Sequence, residues 1–299
     1  MRRPALIASL LVSWTLASAD EPRSRPLPIS AHNCYPVDEI GKNRLAEALA
    51  LGIDNIEIDL GWDDAGKRLI VGHDPAPKPG VNYPTFEDFI QPVLESSARP
   101  DGAPSVLTLD WKTDKPEAVA KLKAFLDDHA GHFSSAPKAD KSPLTDRKLT
   151  VCFTGNAKAK AAYDDLIPKD GAYRAFADVV HSRGSYLDDP TAYAKEPASA
   201  YHRFLTFDWS AVEAGGPPFA RDWTKDESAR LEAIVKSAHS RGYRVRFYCL
   251  NSRGPVLSVN YRFASPDAAR TRWNAAADAG ADWVASDDYR EIVSEMRKR

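Results

Sequence analysis

The chain has 299 residues, 40 basic and 42 acidic side chains, a formal charge of −2 at neutral pH and an apolar fraction of 43%. This near-balance of charge leaves no electrostatic footprint for nucleic acid, and the composition is that of an ordinary globular protein. The length suits one large domain.

The chain opens with the three marks of a secretory leader: the positive Met1-Arg2-Arg3, an apolar run from Ala5 to Leu16, and small residues at Ala17-Ser18-Ala19. The expectation is a signal peptide over 1–19, cut after Ala19, and a secreted or periplasmic domain over 20–299. Removing the leader takes two arginines with it and moves the formal charge from −2 to −4. No other stretch is long and apolar enough to cross a bilayer. Cys34, Cys152 and Cys249 show no metal-binding spacing and read as small apolar fillers. Whether any two of them pair stays open at this point.

Beyond the leader, Pro26 to Tyr35 contains a short strand running into His32-Asn33, and Asn43 to Leu51 reads as a helix stopped by Gly52. The stretch Ile53 to Asp74, IDNIEIDLGWDDAGKRLIVGHD, organises the rest. It is a buried strand, a polar turn at Asp63 to Gly66, and an apolar return Leu69-Ile70-Val71 that delivers His73. Thr85 caps a helix running to about Ser97. Ser105 to Trp111 is a strand, Pro116 to Asp128 a helix, and Leu149 to Thr154 a strand. Then come a helix over Ala157 to Leu166 and strands over Phe176 to His181 and Phe204 to Phe207. Gly184 to His202 has no clear pattern. Thr224 caps a helix over Lys225 to Ser240, followed by a strand over Arg244 to Leu250. A helix over Pro266 to Ala279, a strand over Trp283 to Ala285 and a last helix to Met296 complete the chain. Leaving out the short return, eight strands mostly alternate with helices. This predicts an α/β fold, a closed (β/α)8 TIM barrel first and an open doubly wound sheet second.

Side chains alternate along a strand, so Glu57 and Asp59 share a face, about 6–7 Å apart at their Cα atoms. Two carboxylates inside an apolar strand repel one another, and a cation or a shared proton is the usual remedy. Asp110 ends the next strand, and Asn33 ends the first. Glu57, Asp59, Asp110 and the Asn33 amide form an all-oxygen set that suits one divalent cation, Ca2+ or Mg2+, over zinc or copper. His32 and His73 flank it as an acid–base pair. Lys112, on the face of Asp110, offers a positive charge to an anion, with a solvated strand-end lysine or a partner for Asp59 as the alternatives. This combination describes a phosphate-ester cleaver better than a sugar cleaver, since adjacent carboxylates on one strand leave little room for a sugar ring between them.

Ser30-Ala31-His32-Asn33-Cys34-Tyr35, Ile56-Glu57-Ile58-Asp59, Gly72-His73 and Leu109-Asp110-Trp111-Lys112 together resemble the phospholipase-C-like phosphodiesterase superfamily. That superfamily includes glycerophosphodiester phosphodiesterases, phosphoinositide-specific phospholipases C and the venom sphingomyelinase/phospholipase D enzymes. The resemblance implies a TIM barrel with His32 and His73 as catalytic pair, Glu57, Asp59 and Asp110 on the metal, Asn33 in its shell, and Lys112 on the substrate phosphate. It implies a small-molecule or lipid phosphodiester substrate, with hydrolysis and cyclisation both open, as is a transient contact with a membrane surface. Glycerophosphodiesterases open His-Arg where this chain has His32-Asn33, and their third acid is glutamate where this chain has Asp110. A barrel that binds a phosphorylated ligand without turnover is the alternative.

Overall fold

The computed structural model describes residues 27–36, 44–96, 103–139, 144–181, 189–252 and 261–299. The expected leader over 1–19 lies outside the described residues.

The strands are β1 (Ile29–Ala31), β2 (Asn55–Asp63), β3 (Arg68–Val71), β4 (Ser105–Trp111), β5 (Ala136–Pro137), β6 (Leu149–Gly155), β7 (Ala172–Tyr173), β8 (Ala175–His181), β9 (His202–Asp208), β10 (Arg244–Tyr248) and β11 (Trp283–Ser286). The α-helices are α1 (Arg44–Ala50), α2 (Phe86–Glu95), α3 (Pro116–Asp128), α4 (Ala157–Leu166), α5 (Lys225–Ser240), α6 (Pro266–Asp278) and α7 (Tyr289–Met296). Eight strands pair in parallel around a ring in the order β1, β2, β4, β6, β8, β9, β10, β11. β1 closes it, pairing Ser30 with Asn55 of β2 and Ile29 with Val284 of β11. This is the closed (β/α)8 barrel expected from the alternation of elements, and the open sheet is set aside.

Strand burial explains why the pattern was readable. β2 is buried along Asn55 to Trp62, because one face fills the barrel and the other meets the helices. Helix boundaries follow their caps. Thr85 Oγ1 accepts from Asp88 N, and Thr224 forms a reciprocal capping box with Glu227. Two departures concern the barrel's connections. β3 runs antiparallel on the extension of β2, pairing Leu60 with Val71, so the return is an arm outside the ring. Between β8 and β9 the described residues form only a 3-10 turn, Pro190–Ala194, capped by Asp189.

All three cysteines are buried and free, which closes the disulfide question. Among the described residues no helix is long and apolar enough to cross a membrane.

The loop after β9 is pinned by a buried ion pair. Arg272 of α6 donates to both carboxylate oxygens of Glu213, at 2.8 and 2.6 Å, and also to the Arg221 carbonyl at 2.6 Å. Trp209 Nε1 donates to Glu213 at 2.6 Å, and the guanidinium lies over the Trp223 and Phe263 rings. Removing one partner of such a pair strands a charge in the interior, at a cost of about 3–5 kcal/mol. Arg272→Met is therefore expected to lower unfolding stability by about 3–5 kcal/mol, read from urea denaturation followed by tryptophan fluorescence.

Candidate active site

The barrel's register brings the acids together. Glu57 is level with Thr108, Asp59 with Asp110, and Asp110 with Thr154, so these side chains face the barrel axis near the carboxyl ends of their strands. Beneath them lies a polar floor. Ser30 and Thr108 donate to Asn55 Oδ1 at 3.2 and 2.9 Å, and Arg246 Nε donates to Ser30 Oγ at 3.1 Å. The Arg246 guanidinium also reaches Glu57 Oε2 at 2.5 Å, with both residues almost wholly buried.

Above the floor, Glu57, Asp59 and Asp110 offer carboxylate oxygens that all lie within 4.8 Å of one another. The Lys112 ammonium sits on this group, 2.6 Å from Asp110 Oδ2 and 3.3 Å from Asp59 Oδ2. Lys112 was expected to offer its charge to an anion; here that charge is turned inward onto the two acids. The Tyr35 hydroxyl lies 2.8 Å from Asp59 Oδ2 and 2.9 Å from Asn33 Oδ1, sharing one hydrogen between two acceptors. The Asn33 oxygen is thus beside the acids, one hydroxyl away from Asp59. Asn33 adopts φ +54°, a left-handed conformation that asparagine tolerates. Gly155 serves the same site, since a Cβ there would fall on Asp110 Oδ1.

Burial, reinforced by the Asp110 and Glu57 charges and opposed by Lys112, pushes Asp59 up to about 7. Burial works against the Lys112 charge, but Asp59 and Asp110 outweigh it and raise its pKa.

His32 follows β1 and is held from both sides. Its Nε2 is 3.6 Å from Glu57 Oε2 and its Nδ1 is 3.1 Å from Asp287 Oδ1. A carboxylate only accepts, so Nδ1 carries the proton facing Asp287, and the Asn33 amide donates to Asp287 Oδ1 at 3.0 Å. Asp287 is itself fixed by Asn251 Nδ2 at 2.5 Å, and its carbonyl by Arg44 at 2.9 Å. Burial opposes the imidazolium, yet Glu57 and Asp287 together raise the His32 pKa to about 9. Asp287 is also penalised by burial, but His32 and Arg44 bring it down to about 2. The Tyr261 ring stacks on His32 at 6.0 Å between centroids.

His73 is delivered by β3 through Gly72, whose φ of +154° and closeness to the Tyr83 ring exclude a side chain. Gly72 N donates to the Asp59 carbonyl at 3.0 Å, which ties the arm to the acidic strand. The His73 ring is exposed and lies within electrostatic reach of Lys112, Asp110 and His32. Its pKa is lowered by partial desolvation and then by the Lys112 charge.

Every residue singled out from sequence therefore falls at one end of the barrel. Arg246, Asp287 and Tyr35 complete the arrangement without having been assigned a part. The one available signal for Arg246 was the alternation Arg244-Val245-Arg246 in a buried strand. Tyr35 stood inside a quoted motif and Asp287 just beyond the last strand, with no spacing to show whom they meet.

No protein-family profile matches the chain. Altered inheritance of mitochondria protein 6 of Eremothecium gossypii is 25% identical over 265 residues, covering 82% of this chain and 64% of that protein. The chain thus spans less than two thirds of the length of this curated relative. Among solved structures, a protein assigned as a glycerophosphoryl diester phosphodiesterase from Silicibacter pomeroyi DSS-3 aligns with a TM-score of 0.50 at 14% identity, covering 86% of this chain and 87% of that one. A glycerophosphoryl diester phosphodiesterase from Parabacteroides distasonis ATCC 8503 aligns at 0.49 and 13%, covering 91% and 87%. The Silicibacter protein shares the barrel fold that the sequence motifs implied.

The raised His32 value has a measurable consequence in metal-free protein. The folded state binds this proton more tightly than the unfolded chain. The stability it contributes is complete below pH 6.5 and lost as pH rises through about 9. In EDTA, stability is expected to fall across that window, and Asp287→Asn is expected to move its upper end downward. Denaturant midpoints across this pH range measure both.

Proposed function

We propose that the chain is an exported, divalent-metal-dependent phosphodiesterase of the phospholipase-C-like superfamily, acting on a glycerophosphodiester or phospholipid headgroup. The observation that carries this reading is the convergence of two histidines and three carboxylates at one barrel mouth, with the donor oxygens of Glu57, Asp59 and Asp110 within 4.8 Å of one another. The donor set is all oxygen and converges from two adjacent strands, which fits a hard cation such as Ca2+ or Mg2+. Glu57, Asp59 and Asp110 would hold it, with Asn33 beside them. When bound, the ion would neutralise charge on the phosphoryl oxygens.

The chain's own residues supply the proton movements. One histidine of the pair His32 and His73 takes the proton from a substrate hydroxyl next to the phosphate, and that oxygen attacks phosphorus. The other gives a proton to the departing alkoxide. A cyclic phosphate is the first product, either released or opened by water. Asp287 holds the His32 ring in one orientation throughout, and Tyr261 covers one of its faces. The leader over 1–19 is the basis for export.

A barrel that binds a phosphorylated ligand without turnover is favoured by one observation: the Lys112 ammonium lies against both Asp59 and Asp110 and offsets their charge. A panel of glycerophosphocholine, glycerophosphoinositol, lysophosphatidylcholine, phosphatidylinositol and bis-p-nitrophenyl phosphate, each with Ca2+, Mg2+ or EDTA, separates the two. Turnover that needs a divalent ion and drops by about 10²–10⁴-fold in His32→Ala, with a loss in Glu57→Ala as well, is the expected result. Metal binding with no turnover on any member would select the binding barrel.

A further inference from the structure

We propose that Lys112 is the resident occupant of the metal seat: its ammonium stands between Asp59 and Asp110 in the metal-free protein and is expelled towards the barrel mouth when a divalent ion binds. This rests on the metal-dependent reading above and adds to it a coupling between metal loading and anion binding.

The geometry carries the first half. The ammonium is 2.6 Å from one candidate ligand and 3.3 Å from a second, inside a group of donors that spans no more than 4.8 Å. A divalent ion among those donors and an ammonium on two of them would be like charges in near contact at a partly buried site. One must leave.

Among the described residues Arg246, His32 and Lys112 face the acids, and Lys112 is the most exposed of the three. Arg246 is buried, donates to Ser30 as well as Glu57, and forms part of the barrel floor. Lys112 has a side chain one fifth exposed, 20%, at the open end of the barrel. Its backbone N–H is fixed in the ladder to the Leu60 carbonyl at 2.9 Å, so the four-carbon stem alone has to swing.

The second half follows from the neighbours. Tyr261 stacks on His32 beside the acids, and His73 is exposed at the end of the β3 arm. An ammonium leaving the acids moves outward, in the direction in which its side chain is already partly exposed. Metal binding therefore transfers a positive charge from an internal ion pair to the position where a phosphate would be received. Loading the ion prepares the site for its anion.

The test uses the intact protein without substrate. Calorimetric titration with Ca2+ and with Mg2+ is expected to show binding at least tenfold tighter in Lys112→Met than in wild type, because the competing charge is gone. In wild type, brief acetylation followed by peptide mass mapping is expected to label Lys112 severalfold faster with saturating metal than in EDTA, while exposed lysines such as Lys158 keep their rate. Metal binding by wild type with equal or weaker affinity in Lys112→Met, or Lys112 labelling indifferent to metal, overturns the inference and leaves the metal-dependent reading standing. Absence of metal binding by both proteins removes the two together. Labelling needs no variant, so a poorly folded Lys112→Met still leaves a decisive result.

Discussion

Three carboxylates crowded at one end of a barrel are the constraint to which the surrounding structure responds. Glu57 and Asp59 are almost completely buried, in a setting where unpaired charge is expensive. Each nearby polar group can be understood as an answer to that charge. Arg246 reaches Glu57 from β10, three strand positions away around the ring, so the ion pair braces the barrel across its interior. Lys112 answers Asp59 and Asp110, and the Tyr35 hydroxyl supplies a hydrogen to the remaining side. The site and the closure of the barrel are thus one electrostatic problem: the acids find their counter-charges only when distant strands have met.

The two histidines occupy contrasting surroundings for the same reason. His32 is wedged between the acids and Asp287, and its ring is fixed by hydrogen bonds and stacking. His73 stands in the open, with Lys112 rather than a carboxylate as its strongest charged neighbour. Carboxylates beside His32, against desolvation and the Lys112 charge at His73, separate the proton affinities of two chemically identical rings. Such a separation suits a pair in which one member gives a proton while the other takes one.

The barrel was legible in the sequence because its signals are local. Branched apolar runs, Thr85 and Thr224 as caps, and glycines at helix ends each act within a few residues. The Glu57–Asp59 face was legible from the two-residue period of a strand, and the shared face of Asp110 and Lys112 from the same rule. What Lys112 would touch was not, because a flexible four-carbon stem can point to solvent or fold inward. The partners of His32 and Glu57 were hidden for another reason. Asp287 is 255 residues from His32 and Arg246 is 189 residues from Glu57. A parallel barrel joins its first and last strands, and no periodicity within a window reveals such meetings. The family resemblance supplied the cast of the first half of the chain, but the arrangement of the last two strands came from coordinates alone.

The arm formed by β3 separates the site into two mechanical parts. His32, Glu57, Asp59 and Asp110 belong to the barrel wall and its immediate edge, where a shift of one strand disturbs all of its neighbours. His73 instead rides on a hairpin pinned by the ladder to β2, by the Val71 amide on the Pro84 carbonyl and by the Gly72 amide on the Asp59 carbonyl. Changes in the length of the turn at Asp63 to Gly66, or in the segment leading to Thr85, act on that hairpin without touching barrel register. The fold can consequently re-aim the His73 ring independently of the carboxylate cluster, as a craftsman adjusts a tool rest without moving the lathe bed.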